Sequence, residues 1–381
     1  MGNIKVNKIK LLDSTLREGK QSILSGVLLK KELKYLKVIS EIGIREIEIN
    51  HPQSSLYWLK IYKKLIVSKL PFKIFIHTRV KRENLDLLVK LPTVKYLSVF
   101  VEKRDILLQN DKVGISSNLK RFLEVTRSRN LEIRVGIEDC FTFSPAHLLK
   151  IYEYILRHAN VIRVGLADTY GYIKPEVLVK YTKYLDKRLN RKIEIEFHLH
   201  NDHGLAASNF YFVLSNISTE RKLVFSVSFA GLGERNGILS YGEAFSILYL
   251  MNRRVLLRKY NLTNYNKLSE LIFGKNIAIS YRDPLMKSSF AHAATSHISN
   301  LFKSGKFNRI KPEDFGYEHD VVIGNVIGTE SISLISRHYF NNNLDEDKAK
   351  MIAKKIRERI HETNKNYIST RELKRFIKQY A

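Results

Sequence analysis

Cysteine is almost absent: Cys140 is the one thiol in 381 residues, which excludes an intrachain disulfide framework and every zinc site built on several cysteines. No stretch approaches the roughly 18 continuous apolar residues of a membrane span. The N-terminal run Met1 to Lys5 passes into an alternating segment without a signal-type apolar core, so a cytoplasmic protein is expected. No internal repeat or low-complexity tract is present. Carboxylates are also scarce, 38 against 65 Lys and Arg, for a net charge of +27. Such a balance raises the question of a nucleic-acid partner. The cations are nevertheless spread along the chain, often on outer helix faces (Lys30, Lys31, Lys34, Lys37), with no basic tail and no basic-aromatic repeat. A solvated basic surface that attracts anionic substrates is expected instead, with neither nucleic acid nor membrane as partner.

What is present fits a folded protein. Hydrophobic residues make up 44% and charged residues 27%, and the length accommodates one barrel of about 250 residues plus something smaller. Short runs rich in Val, Ile and Phe, without internal proline, predict strands at Ile9–Leu12, Glu46–Ile49, Lys73–His77, Tyr96–Val101, Glu132–Ile137, Val161–Ala167, Glu194–His198 and Val224–Phe229. Helix-length segments lie between them, among them Leu29–Ile42, Pro145–Arg157, Pro175–Leu185 and Ser240–Leu250; two carry proline in the first turn, where its missing N–H costs nothing. Eight strands alternating with eight helices predict an α/β fold, a closed parallel (β/α)8 TIM barrel over residues 1–255. From 256 to 381 the rhythm changes to a polar stretch, an irregular region and charged helical patterns at Asp345–His361 and Thr370–Tyr380, so a mainly helical C-terminal region that contacts a partner subunit is expected.

Active sites of such barrels lie at the C-terminal ends of the strands. Polar residues gather there repeatedly: Asp13, Arg17, Glu18 and Gln21 after strand one, Glu48 after strand two, His77 and Arg79 after strand three, Arg134, Glu138 and Asp139 around strand five. Strand six adds Asp168 and Thr169, strand seven Glu196, His198, His200, Asn201 and Asp202, and strand eight Glu234, Arg235 and Asn236. Each alone has an ordinary explanation as a surface ion pair or a hydrogen-bonded structural group; the accumulation on one rim does not. His198 and His200 stand two apart, on the same face of a strand. With one carboxylate, which Glu18 can supply across strand eight, they make a facial set of three ligands that leaves positions on a divalent cation open. A 2-oxo acid can chelate there through its carboxylate and keto oxygen, and Arg17 beside it would stabilise oxygen charge that grows during carbon–carbon bond formation.

The runs Asp13 to Gln21 (DSTLREGKQ), Glu196 to Asp202 (EFHLHND) and Gly231 to Gly237 (GLGERNG) resemble the acyl-CoA-dependent, Claisen-condensing branch of the DRE-TIM metallolyases. Within that branch, Ile76 to Arg79 (IHTR), Glu132 to Asp139 (EIRVGIED) and Ala167 to Gly171 (ADTYG) are most similar to the homocitrate synthases, and the likeness continues through Phe290 to His297 and Pro312 to Gly316. The resemblance implies a homodimeric acyltransferase of amino-acid biosynthesis that condenses acetyl-CoA with a metal-bound 2-oxo acid, 2-oxoglutarate first among them. It implies Glu18, His198 and His200 as metal ligands, with zinc, manganese, magnesium, cobalt and iron all open. It implies Arg17, Glu196 and His297 as catalytic residues, His297 serving proton transfer at the acetyl methyl group. Gln21, Glu48, His77, Arg79, Arg134 and Thr169 would bind the 2-oxo acid, Arg134 and Thr169 at its distal carboxylate. Other readings within the resemblance are a synthase for oxaloacetate, pyruvate or 2-oxoisovalerate, a lyase, and a degraded homologue without catalysis.

The chain departs from the family pattern in four places. Gly136 stands where a serine is expected after the pocket arginine, and Val101-Glu102-Lys103 where a small, hydroxyl-bearing segment is expected. His292 to Thr295 reads HAAT in place of His-Lys-Ala-Gly, and Phe307 replaces a tyrosine. One lost hydrogen bond to a charged group is worth roughly 1.5–3 kcal/mol, enough to redirect selectivity.

Overall fold

A computed structural model describes residues 8–22, 31–50, 56–81, 84, 91, 93–109, 112–280, 283–304, 309–324, 327–363, 367–368 and 370–380, with backbone alone at 56, 274–280, 303–304 and 370. These residues fall into two compact units, Met1–Lys275 and Asn276–Ala381.

The first unit is a closed barrel of eight parallel strands: β1 (Ile9–Asp13), β2 (Glu46–Ile49), β3 (Lys73–Arg79), β4 (Tyr96–Val101), β5 (Glu132–Ile137), β6 (Val161–Asp168), β7 (Glu194–Leu199) and β8 (Leu223–Val227). Strand β1 pairs with both β2 and β8, which closes the cylinder. All eight strands coincide with the predicted ones to within a residue or two. The helices described between them are α1 (Glu32–Ile42), α2 (Leu56–Ser68), α3 (Ser117–Ser128), α4 (Pro145–His158), α5 (Pro175–Arg188), α6 (Ala206–Asn216) and α7 (Tyr241–Lys259). The eighth, expected between β3 and β4, lies outside the described residues, as do the first two residues of the predicted Leu29–Ile42 helix.

Local chemistry sets the helix starts. Ser116 and Ser144 accept hydrogen bonds from the N–H groups of Leu119 and His147, and Ser240 and Glu243 form a reciprocal capping box. Pro145 and Pro175 sit in the first turn. An antiparallel hairpin, Ile106–Gln109 with Lys112–Ile115, is inserted after β4 and was not expected from the sequence. The helix α8 (Tyr265–Ser280) carries the first unit to 275, beyond residue 255, because Tyr265 and Phe273 pack their rings against Phe229 at 5.8 and 6.0 Å.

The barrel interior is unusual in its polarity. It holds a small apolar cluster, Leu12, Phe75 and Val224, with Tyr96 and Ile162 against it. It also holds ionised side chains, among them Lys10, Glu46, Glu48, Arg134, Arg163, Glu194 and Glu196. The second unit contrasts with it. Helices α9 (Thr295–Ser304), α10 (Thr329–Phe340), α11 (Glu346–Glu362) and α12 (Thr370–Tyr380) enclose an aliphatic core built largely of isoleucine, including Ile332, Ile335, Ile352, Ile356 and Ile360.

Candidate active site

Strand periodicity builds the site in layers. Along β7 the inward side chains are Glu194, Glu196 and His198, and the chain continues in phase to His200. Glu18 reaches the same layer from the turn that follows β1. That turn is folded by its own groups: the amides of Arg17, Glu18 and Gly19 all donate to the carbonyl of Ser14, while Asp13 accepts from Thr15 and Tyr35. Burial pushes the Asp13 carboxyl up to about 6.

One ligand atom from each of Glu18, His198 and His200 lies within 4.8 Å of the others. Glu18 Oε2 is 3.8 Å from His198 Nε2, and the two imidazole rings meet edge to face at 5.0 Å. The loop after β8 holds Glu18 from the far side. The amide of Glu234 donates to Glu18 Oε1 at 3.1 Å, and a Cβ on Gly233 would stand 3.0 Å from Glu18 Cγ, so only glycine fits there without a shift. Gly237, at φ +77°, brings its Cα so close to the Gly231 carbonyl that no side chain could be accommodated. Asp202 and Arg235 lock the β7 and β8 loops through two hydrogen bonds of 2.6 and 2.9 Å.

These residues fit a divalent cation. Burial, and then Arg17, drive His198 far below the usual imidazole range, and burial lowers His200 as well; both rings are thus neutral, the form in which imidazole donates to a metal. Their buried Nδ1 atoms have no hydrogen-bond partner among the described residues. Burial opposes ionisation of Glu18, but its neighbours, the Arg17 guanidinium first among them, outweigh it and hold its carboxyl at about 2. The ion-paired column below the site, from Lys10 to Glu18, joins the carboxylates of Glu46, Glu194, Glu196, Glu48 and Glu18 to the cations Lys10, Arg163, Arg134 and Arg17. It carries one more carboxylate than cation, an excess that a divalent cation would offset.

Arg17 is buried between two carboxylates, touching Glu18 through Nη1 and donating to Glu48 Oε2 through Nε at 3.0 Å. Glu48 is the hub. It also accepts from Ser14 at 2.9 Å and Ser98 at 2.6 Å and contacts His77 at 3.3 Å, and although burial opposes it, Arg134 and Arg17 keep it well below the usual carboxylate range. Gln21 stands beside Glu18 and, with its amide nitrogen turned inward, donates to both carboxylate oxygens at 3.1 and 3.3 Å. The cavity enclosed by this rim has a volume of about 250 Å³ and is also lined by His77, Arg79, Phe100, Arg134, Gly136 and Thr169. Arg134 touches Glu196 through Nη2. Its Nη1 is ion-paired with Glu48 Oε1 at 3.0 Å, without hydrogen-bond geometry to that or any other group among the described residues. A Cβ built on Gly136 meets nothing within 4 Å, so the missing serine leaves open space. The Thr169 hydroxyl accepts from the Asp139 amide at 2.9 Å. Arg79 is the outermost member, its side chain 60% exposed and 3.9 Å from Glu102.

Eleven of the twelve residues singled out from the sequence thus gather in or directly beneath this one mouth. The twelfth, His297, belongs to the second unit, exposed on α9 with its ring 6.2 Å from that of the buried His292. Phe307 lies outside the described residues. Sequence reasoning missed Ser14, Ser98 and Ser226, which hold Glu48 and Glu196, and Arg163 beneath them. Arg163 had a signal: it is a charged residue in phase with Ala167 and Thr169 on an otherwise apolar strand.

Comparison with known proteins agrees with this geometry. The profile of the HMGL-like family matches residues 8–272. The mitochondrial homocitrate synthase of Schizosaccharomyces pombe is 25% identical over 93% of this chain and 84% of its own. The homocitrate synthase of Pyrococcus horikoshii is 27% identical over 91% of this chain and 94% of its own. A putative (R)-citramalate synthase of Methanopyrus kandleri is 24% identical over 86% of this chain and 64% of its own. Among solved structures, hydroxymethylglutaryl-CoA lyase from Pseudomonas aeruginosa superposes with a TM-score of 0.54 at 18% identity, covering 71% of this chain and 96% of that one, a likeness of fold. No helix among the described residues is long and apolar enough to cross a membrane.

Proposed function

Because the chain belongs to the HMGL-like family, we propose that it is a metal-dependent acyltransferase that condenses acetyl-CoA with a 2-oxo acid, 2-oxoglutarate giving homocitrate. The observation that carries this reading is the triangle of ionised Glu18 and neutral His198 and His200 with Arg17 against it. A divalent cation held by those three residues supplies Lewis acidity at the keto group.

The chain's own groups do the rest. The acetyl methyl group gives up a proton, the resulting enolate forms a bond to the keto carbon, and the keto oxygen takes up the displaced electron pair before it is protonated to a hydroxyl. Water then cleaves the thioester and coenzyme A leaves as the thiol. Arg17, desolvated and fixed by Glu48, is placed to stabilise the charge that grows on the keto oxygen. Arg134 lines the cavity, held by its ion pairs with Glu48 and Glu196, and its guanidinium is suited to the distal carboxylate. Gln21 and His77 border the same cavity and limit the poses a small oxo acid can take. His297 is assigned the proton transfer at the acetyl methyl group, in a homodimer.

Gly136 favours a second reading, in which a different 2-oxo acid fills the space a serine hydroxyl would take. Thiol release from acetyl-CoA, followed against a panel of 2-oxo acids with Mg2+, Mn2+, Zn2+, Co2+ or Fe2+, decides between them. The expected outcome is turnover that requires the metal and is fastest with 2-oxoglutarate; no turnover with any acid, in protein that binds the metal, overturns the enzyme reading.

A further inference from the structure

Arg163 and Arg221 are both fully buried arginines among the described residues, and Arg163 is the one inside the barrel. It stands on β6, inside the barrel, where hydrogen bonds tie it to three carboxylates: Nε and Nη2 to Glu194 Oε2 at 3.0 and 2.6 Å, Nη2 also to Glu46, and Nη1 to Glu196 Oε2 at 3.2 Å. Its guanidinium rests 5.1 Å from the ring centre of Phe75. Glu46 and Glu194 have a second cation, Lys10, at 3.0 and 2.7 Å. Glu196 has Arg134 and the Ser226 hydroxyl, and both of these are on its other oxygen, Oε1.

This division of labour matters. Oε2 of Glu196 is held from below by Arg163, and Oε1 from the side by Ser226 and Arg134. The orientation of the carboxylate is therefore fixed at both ends, and with it the Nη2 half of the Arg134 guanidinium. Fixing Nη2 also fixes Nη1, which lies 3.0 Å from Glu48 Oε1 at the wall of the cavity that Arg134 lines. A planar fork is needed for this. Three carboxylates converge on one cation from different directions, and a lysine ammonium, a compact charge on a flexible stem, cannot meet all three in fixed geometry.

We propose that Arg163 is a positioning residue for the 2-oxo acid: acting through Glu196, it sets Arg134 in the orientation that receives the substrate's distal end. The inference rests on the reading that the cavity binds a 2-oxo acid. Its competitor is a purely structural role, in which Arg163 does no more than neutralise carboxylates at the barrel floor.

The two roles separate in steady-state kinetics of the metal-loaded protein. Arg163→Lys keeps the charge and loses the fork, and is expected to raise KM for the 2-oxo acid about tenfold, with KM for acetyl-CoA and the metal dissociation constant within twofold of the parent. Arg221→Lys makes the same exchange at a fully buried arginine outside the column, where Asp186 and the carbonyls of Asn190 and Leu189 hold it, and is expected to lower the unfolding midpoint while leaving both KM values unchanged. Should Arg163→Lys fail to fold, Ser226→Ala reports on the same carboxylate from its other oxygen and is expected to raise KM for the oxo acid selectively. An unchanged KM for the oxo acid in Arg163→Lys, or in Ser226→Ala when that is the variant measured, overturns the proposal. So does an equal KM rise in Arg221→Lys. A parent protein without turnover on any 2-oxo acid is a different result, which removes the functional reading beneath both roles.

Discussion

The two compact units solve the problem of an interior in opposite ways. The barrel carries inside it a column of ion pairs that runs from Lys10 through Arg163, Arg134 and Arg17 to Glu18. The C-terminal unit, among its described residues, packs its main core cluster from aliphatic side chains. Buried ion pairs contribute little net stability, since the desolvation of each charge offsets most of the attraction. Aliphatic burial is favourable in proportion to area and indifferent to direction. The column is therefore to be understood by what it positions, and the isoleucine core by what it stabilises. A charged network has one satisfactory arrangement, and removing any member leaves another group buried without a partner.

The largest effect that could break this comparison comes from removing one charge. Arg163→Met leaves Glu46 and Glu194 to share Lys10 and strips Glu196 Oε2 of its cation, and is expected to cost roughly 3–5 kcal/mol by denaturant unfolding; a loss below about 1 kcal/mol would mean that the column is dispensable. In the other unit, Ile352→Ala opens a cavity in a closed aliphatic core and is expected to cost about 2–5 kcal/mol, whereas Ile352→Val should cost only about 1 kcal/mol. That graded response has no counterpart in the column, where a conservative change such as Arg163→Lys already disturbs the geometry.

Acid sharpens the contrast further. The carboxyl of folded Glu18, at about 2, lies below the ordinary glutamate value of 4.5, so the folded protein binds this proton more weakly than the unfolded chain. Its contribution, on the order of 3 kcal/mol, is whole above pH 4.5 and disappears as the pH falls through 2. Metal-free protein is expected to lose stability over that window, and Glu18→Gln to flatten the loss; an identical acid profile in the variant would contradict the assignment. The last expected effect is a gain in place of a loss, at the cavity wall. Gly136→Ser places a hydroxyl in open space and should improve kcat/KM for 2-oxoglutarate by about 1.5–3 kcal/mol of binding energy, and less for acids without a distal carboxylate.

The strands and the pairing of His198 with His200 at the mouth were legible in the sequence because both follow a period of two: Val, Ile and Phe alternate with the polar groups of the mouth, and the two histidines are neighbours in that alternation. Arg163 was not, although it obeys the same period. A single cation in an apolar strand does not reveal its counter-charges, which here arrive from β2 and β7, 117, 31 and 33 residues away in sequence. The serines that hold Glu48 and Glu196 carry no sequence signal of their own, since a hydroxyl becomes a positioning group only through its neighbours. The hairpin after β4 was hidden for another reason: four-residue strands whose side chains are largely exposed lack the apolar rhythm that marks the barrel.

Everything proposed for this protein depends on one cation site, and calorimetric titration of the metal-free chain with Mn2+ or Zn2+ tests it most directly. The expected result is one divalent cation bound per chain, with binding lost in His198→Ala while the protein still unfolds cooperatively. Undiminished binding in that variant, or a parent chain that binds no divalent cation, would contradict the assignment of Glu18, His198 and His200.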